Sequence, residues 1–282
     1  MPKVTDTQDH DDPDYVKERE RCDFTASEIP TLFGVGYSGS SIAGLIDVKR
    51  GKRKAPIPSV FQREKMERGR MLEAPAARVF EDWCQGLFRF EETGLWVRAK
   101  QREDEPLIGA TPDRLMVDAM GRRYTLEIKV PDNVADKDEK TYRWCAYRAQ
   151  LEVQMRCVDN CVGGYLFVYN HEDPENSRAF GPYAPDDILW GLIMQKVEAF
   201  RPYLTDLSLE VPRCKRGFKT HAIDEWMQSL VDRENEKHDA VKRNFLSQKR
   251  QATDTSQQHV RATESDRDED QGEEEATDTD GC

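Results

Sequence analysis

Residues 124–130 alternate with period two. Tyr124, Leu126, Ile128 and Val130 fall on one face of an extended chain, and Thr125, Glu127 and Lys129 fall on the other. The pattern predicts a strand whose polar face carries an acid and a base pointing together. Residues 107–118 read as a second strand, and Gly121 marks the turn between them, so the two form an antiparallel hairpin. On a solvated face Glu127 and Lys129 would be an ordinary surface ion pair of little energetic consequence. Context favours a site instead: Gly109-Ala-Thr-Pro-Asp113 brings a further carboxylate across the hairpin, and Val130-Pro131 closes the strand.

The remaining elements follow from periodicity. From Met66 to Cys84, apolar residues at Leu72, Ala76, Val79, Phe80 and Trp83 keep helical spacing. Glu73 lies about 100° around that helix from Leu72, on the flank of the buried stripe, where a carboxylate needs a partner. A Thr25-Ala-Ser-Glu28 capping box opens a short helix, Gly34, Gly36 and Gly39 mark a loop, and Ile42, Leu45 and Ile46 indicate another helix ending near Gly51. A long helix over 136–158, a strand over 162–169 and a helix over 186–203 complete the core. Alternation of strands and helices after the hairpin predicts an α/β fold with a mixed central β-sheet flanked by helices.

The formal net charge of −12 disfavours a nucleic-acid partner until it is divided along the chain. Residues 252–282 hold eleven acids and two bases, and residues 1–20 hold seven acids and three bases, leaving 36 acids and 37 bases between them. The acidic character belongs to the ends, which carry too few large apolar residues to offset the entropy of ordering. The expected organisation is a disordered acidic tail over 1–20, a catalytic domain over 21–215, a charged helical extension over 216–251 and a disordered acidic tail over 252–282. Seven scattered cysteines without a C-x-x-C pair argue against a disulfide framework or a zinc site. No apolar run is long enough to span a bilayer, so the expectation is an intracellular protein of the cytoplasm or a host nucleus, without a membrane partner.

Hydrolysis of a phosphodiester requires a cation that activates water and offsets charge on the phosphoryl oxygens, and magnesium favours hard oxygen ligands from one or two carboxylates. Asp113 and Glu127 supply such ligands, the Ile128 carbonyl can add another, and Glu73 completes or supports the shell. Lys129 would orient the water or stabilise the transition state. Manganese is expected to substitute for magnesium. The run Lys49-Arg50-Gly51-Lys52-Arg53-Lys54 is read first as a phosphate-contacting patch, with a nuclear-import signal and a solvated loop as alternatives.

Four blocks in order resemble the PD-(D/E)xK nucleases, and within them the lambda exonuclease or YqaJ-type viral recombinase nucleases. These are Phe24-Thr-Ala-Ser-Glu28, Arg68-Gly-Arg-Met-Leu-Glu73, Gly109-Ala-Thr-Pro-Asp113 with Leu126-Glu-Ile-Lys-Val-Pro131, and Tyr147-Arg-Ala-Gln150. The resemblance implies a restriction-endonuclease-like core and a catalytic set of Asp113, Glu127, Lys129 and Glu73. It implies that Ser27 holds a 5′-terminal phosphate, with Arg21 as companion, and that Arg68, Tyr147 and Gln150 also serve substrate binding. Ser27 reads equally well as part of a helix start. Arg114 departs from the family, which usually has glycine after the aspartate, and Glu152 departs where a second glutamine is common. The implied activity is degradation of linear double-stranded DNA from a 5′ end, by a trimer partnered with a single-strand annealing recombinase. The alternatives are a structure-selective or restriction-like endonuclease of the same fold and a non-catalytic DNA- or partner-binding module.

Overall fold

The computed structural model describes Thr5 and residues 12–35, 41–100, 102–132 and 142–212, excepting the side chains of 142–145. The expected extension over 216–251, the tail over 252–282 and the first residues of the helix expected from Asp136 lie outside the described residues.

The centre is a five-stranded mixed sheet in the order β2 (Phe88–Glu91), β5 (Arg114–Asp118), β6 (Arg123–Lys129), β7 (Cys161–Val168) and β8 (Arg178–Tyr183). β6 and β7 run parallel and the other neighbours antiparallel. The β5–β6 hairpin turns where expected. Asp118 Oδ1 accepts the Met120 and Arg122 N–H groups at 2.9 Å each, and Gly121 adopts φ +75°, a conformation that favours glycine.

Parallel pairing of β6 with β7 demands a crossover, and α5 (Tyr142–Cys157) lies within it. The alternation in β6 decides what each face meets. Leu126 and Ile128 join Met116 and Phe167 in a core closed by Ala76, Ala77 and Phe80 of α4 (Val60–Cys84). On the opposite face Leu166 and Val168 pack on Tyr147, Leu151 and Met155 of α5, so Glu127 points under a helix instead of into solvent. α5 is enclosed on several sides, and Arg148, Gln150, Glu152 and Gln154 are all buried.

The strand expected over 107–118 is two strands. β4 (Ile108–Ala110) pairs with β1 (Phe24–Thr25) and β3 (Trp96–Val97) in a separate three-stranded sheet, while β5 belongs to the large one. Thr111-Pro112-Asp113 forms the switch. Proline has no N–H to give a ladder, so pairing stops there and Asp113 is left at the junction of the two sheets.

Residues 13–20, expected to be disordered, form most of α1 (Pro13–Arg21). Asp12 Oδ1 caps the Asp14 and Tyr15 N–H groups, Pro13 occupies the first turn, and Tyr15 is buried. A single aromatic anchor gives too little periodicity to stand out among charges. α4 begins six residues earlier than expected, at a capping box formed by Ser59 and Gln62, because its first turns expose Val60 and Phe61 and bury nothing. The helix expected over 186–203 ends at Phe200 in α6 (Asp187–Phe200), and Pro202 starts the short α7 (Pro202–Thr205). The three strands β1, β2 and β3, and β8, were too short or too irregular to predict.

The basic run is used largely within the fold. α2 (Ile29–Leu32) and α3 (Ile42–Lys49) bring Lys49 to Glu28 at 3.0 Å, and Arg50 donates to the carbonyls of Tyr203 in α7 and of Asp206 and Leu209 after it. Lys52 donates to the Leu207 carbonyl. These cations stabilise the carbonyl end of the C-terminal helices. Among the described residues no helix is long and apolar enough to cross a membrane.

Glu152 ties α5 to α6. It is fully buried, accepts Arg156 Nε at 2.8 Å, and accepts the Asp186 N–H at 3.0 Å through both oxygens. Burial holds its carboxyl above the ordinary value against those donors. Glu152→Ala would strand a helix-start N–H and a half-buried guanidinium, so a loss of about 2–3 kcal/mol is expected. Thermal melting followed by circular dichroism measures it, and an unchanged melting temperature would refute the role.

Candidate active site

Asp113 is fixed by backbone on both sides of its carboxylate. Its N–H donates to the Leu126 carbonyl at 3.1 Å, and its Oδ2 accepts the Ile128 N–H at 2.6 Å. The carboxylate therefore rides on the end of β6, one residue from Glu127.

Glu127 is 2% exposed. Its Oε1 accepts Gln150 Nε2 at 2.7 Å and the Lys129 ammonium, and its Oε2 accepts Gln154 Nε2. Gln150 and Gln154 are one helical turn apart, so a single face of α5 clasps both oxygens. Lys129 Nζ stands 5.2 Å from the Tyr147 ring centroid, a cation–π contact that holds the ammonium from the side of α5. The structure thus brings four residues of the sequence-derived set together: Lys129 and Gln150 meet the Glu127 carboxylate, and Tyr147 meets Lys129.

Glu73 reaches the same region from α4. Arg114 Nη1 donates to Glu73 Oε1 at 2.7 Å and also to the Asp113 carbonyl. Arg114, the departure from the family pattern, is the partner that Glu73 needed.

A cavity of about 370 Å³ opens over these groups, lined by Asp113, Glu73 and Gln150 and extending to Thr111, Tyr15, Ser27, Arg19 and Arg70. Arg19 Nη2 donates to Ser27 Oγ at 3.1 Å and Arg19 Nη1 to Tyr15 Oη at 3.2 Å, while Tyr15 Oη and Thr111 Oγ1 share a hydrogen bond of 3.1 Å. The Thr25 hydroxyl pairs with Ser27 Oγ, and Glu28 alone reaches back, to the Thr25 N–H at 2.8 Å. Only half of the capping box forms, and Ser27 is directed to the cavity.

Two arginines of the expected set do not line the cavity. Arg21 pairs with Glu18 at the surface, and Arg68, with Lys65, grips Asp132. Arg19 and Arg70 line it instead. A step of two residues on a helix turns a side chain by about 200°, so Arg19 and Arg21, like Arg70 and Arg68, face opposite ways. Arg70 was legible from its three-residue spacing to Glu73, whereas Arg19 required knowing that α1 is a helix. The two cysteines one turn apart by sequence, Cys157 and Cys161, lie at the end of α5 and the start of β7, and their thiols donate to the Ile108 and Gly163 carbonyls.

Negative charge exceeds its compensation at this point. The Asp113 carboxyl is held well above its ordinary value by burial, then by the nearby charges of Glu127 and Glu73, against Lys129 and the Ile128 N–H. Gln150 Oε1 is buried with no hydrogen-bond partner among the described residues. Among those residues no group of three or more histidine, cysteine or acidic side chains is placed to hold a metal ion. The donors that suit a cation are the Asp113 and Glu127 carboxylates, a hard-oxygen pair that leaves positions for water.

An acid whose pKa is raised by folding favours the folded state when protonated. That contribution is complete below the ordinary carboxyl value and is lost as pH rises through the folded-state value. Ionised Asp113 therefore opposes folding at pH 8 in the metal-free protein. Asp113→Asn should melt higher than wild type there in EDTA, by about 2–4 °C for each kcal/mol relieved, with the gap closing toward pH 4. A lower melting temperature at pH 8 would show that the site is not strained by charge.

Residues 14–160 match the YqaJ-like viral recombinase domain, a span that contains every residue discussed at the site. Among solved structures, the chain is similar to the alkaline exonuclease LHK-Exo from Laribacter hongkongensis. The identity is 19%, with 78% of this chain and 99% of that chain covered and a TM-score of 0.51. LHK-Exo in complex with dAMP aligns at 20% identity over 75% and 95% of the two chains, with a TM-score of 0.49. No curated protein matches the sequence. A two-sheet α/β core with Asp113, Glu127 and Lys129 at the hairpin, matched over more than half of its length, belongs to the YqaJ-like viral recombinase domain family.

Proposed function

We propose that the chain is a magnesium-dependent nuclease that hydrolyses phosphodiesters of linear double-stranded DNA, proceeding from a 5′ end. The observation that carries this reading is the cavity itself, which sets the Asp113 and Glu73 carboxylates, and the Gln150 that clasps Glu127, beside a cluster of guanidinium and hydroxyl groups. Asp113, Glu127 and the Ile128 carbonyl would hold the ion, with manganese as a substitute. A divalent cation bound there supplies Lewis acidity toward the phosphoryl oxygens and lowers the pKa of bound water.

The chain's own residues do the rest. Gln150 and Gln154 fix both Glu127 oxygens, so this carboxylate cannot rotate away when substrate enters. Lys129, held by Glu127 and the Tyr147 ring, keeps a positive charge beside the reacting phosphate and orients the attacking water. Arg19, Ser27 and Arg70 suit a terminal phosphate, since guanidinium and hydroxyl donors meet its dianion better than they meet a bridging diester. This terminal-phosphate subsite favours attack at ends over cutting within a closed circle. A trimeric assembly and a single-strand annealing recombinase as partner belong to the same proposal.

The test is digestion of matched linear 5′-phosphorylated, linear 5′-hydroxyl and closed circular duplexes, with magnesium or with EDTA. Wild type should degrade only linear DNA, prefer the 5′-phosphate and stop in EDTA. Lys129→Ala should lower the rate by roughly 10²–10⁴-fold. Arg19→Ala should lower the preference for the phosphorylated end by about tenfold while leaving hydroxyl-ended DNA a substrate. Cleavage of circles would favour the endonuclease, and binding without cleavage would favour the non-catalytic module.

A further inference from the structure

Arg114 occupies a place where its charge cannot be idle. Its side chain is about 10% exposed, it donates to Glu73 at 2.7 Å, and it donates to the carbonyl of Asp113. In the hairpin register it lies opposite Leu126, on the face toward α4, whereas Glu127 points toward α5. A guanidinium does not deprotonate in a protein, so this is a permanent cation set between the acid of α4 and the backbone of the first hairpin acid.

Its presence changes how many ions the centre can take. Asp113, Glu127 and Glu73 bring three negative charges when ionised, and Lys129 and Arg114 return two positive ones. One divalent cation more than balances what is left, and a second has neither the charge nor the ligands that paired-metal sites share between ions. The placement of the acids agrees, since no group of three acidic, histidine or cysteine side chains among the described residues is set to hold a metal.

We propose that Arg114 is a resident cation that keeps Glu73 out of the metal shell and limits the Asp113–Glu127 centre to one divalent ion. Arg114 is thus a positioning residue: it acts through Glu73 and through the Asp113 backbone. The inference rests on the metal centre proposed above.

The experiment counts manganese ions on the EDTA-stripped full-length protein, by the electron paramagnetic resonance signal of the free ion, with calorimetry for affinity and no DNA present. Wild type should bind one ion per chain, and Asp113→Asn should lose it. Glu73→Gln alone should keep one ion with affinity within about twofold, and Arg114→Lys should also keep one. Arg114→Gly should gain a second ion, and Glu73→Gln in that background should remove it again, a coupling that a merely structural arginine would not produce. Two ions on wild type, or one on Arg114→Gly, overturns the proposal; so does a fall of roughly tenfold or more in Glu73→Gln, the size of effect that a supporting ligand carries. If Arg114→Gly does not fold, Glu73→Gln alone decides. No ion on wild type, or an ion that survives Asp113→Asn, overturns the metal-centre reading as well, so the two failures are told apart.

Discussion

Removing a carboxylate from water costs several kcal/mol unless its oxygens are met by donors, and Glu127 is met by three. Two of them come from one face of α5 and the third from two residues along its own strand. This clasp helps to fix how the crossover helix lies on the sheet, because a displacement of α5 by one turn would remove one of the two amide donors from a buried carboxylate. The clasp sits between the parallel β6–β7 pair and the enclosed α5, and through Gln150 it reaches the wall of the cavity. An apolar residue at position 127 would pack at less cost. The polar arrangement is retained at an energetic penalty, which marks this part of the core as serving chemistry as well as packing.

Asp113 shows the complementary device. It is placed by a chain that changes sheets, with Pro112 ending the ladder of β4 and the Leu126 carbonyl and Ile128 N–H receiving the next residue. The backbone of β6 therefore sets both acids, one through its side chain and one by hydrogen bonding across the hairpin. The spacing of the pair is therefore set by one strand, with α5 fixing the orientation of the Glu127 carboxylate. The excess of negative charge left there is what a bound proton or cation would relieve.

Much of this was legible in the sequence, and the limits have physical causes. The alternation of residues 124–130 identified the strand, its two faces and the shared direction of Glu127 and Lys129, because side chains alternate between the two faces of any strand and here one face is apolar and the other polar. The α4 stripe gave Glu73 a flank position and a need for a partner. What could not be read was the partner, because Arg114 and Glu73 are 41 residues apart and meet only when α4 crosses the hairpin. Strands of two residues, such as β1 and β3, carry no periodicity at all; the three-residue β4 was merged with β5 because no polar break separates Ala110 from Arg114 except Thr111-Pro112-Asp113, which reads as strand and motif at once. Arg19 and Arg70 were displaced by two positions in the sequence reading for one reason, the direction of a side chain on a helix.

The basic run at 49–54 illustrates the difference between charge and charge that is available. Arg50 and Lys52 are engaged by main-chain carbonyls after α7, and Lys49 by Glu28, so three of the five cations in that segment are engaged within the fold. The near-neutral balance of residues 21–251 then leaves no broad field to draw in a polyanion. In the proposed reading attraction is local, and Arg19 and Arg70 supply it at the cavity that Asp113 also lines. A phosphate entering this cavity meets opposite charges at its two ends. Under the proposed function, the same geometry would favour a strand end presented with its phosphate toward the guanidinium side.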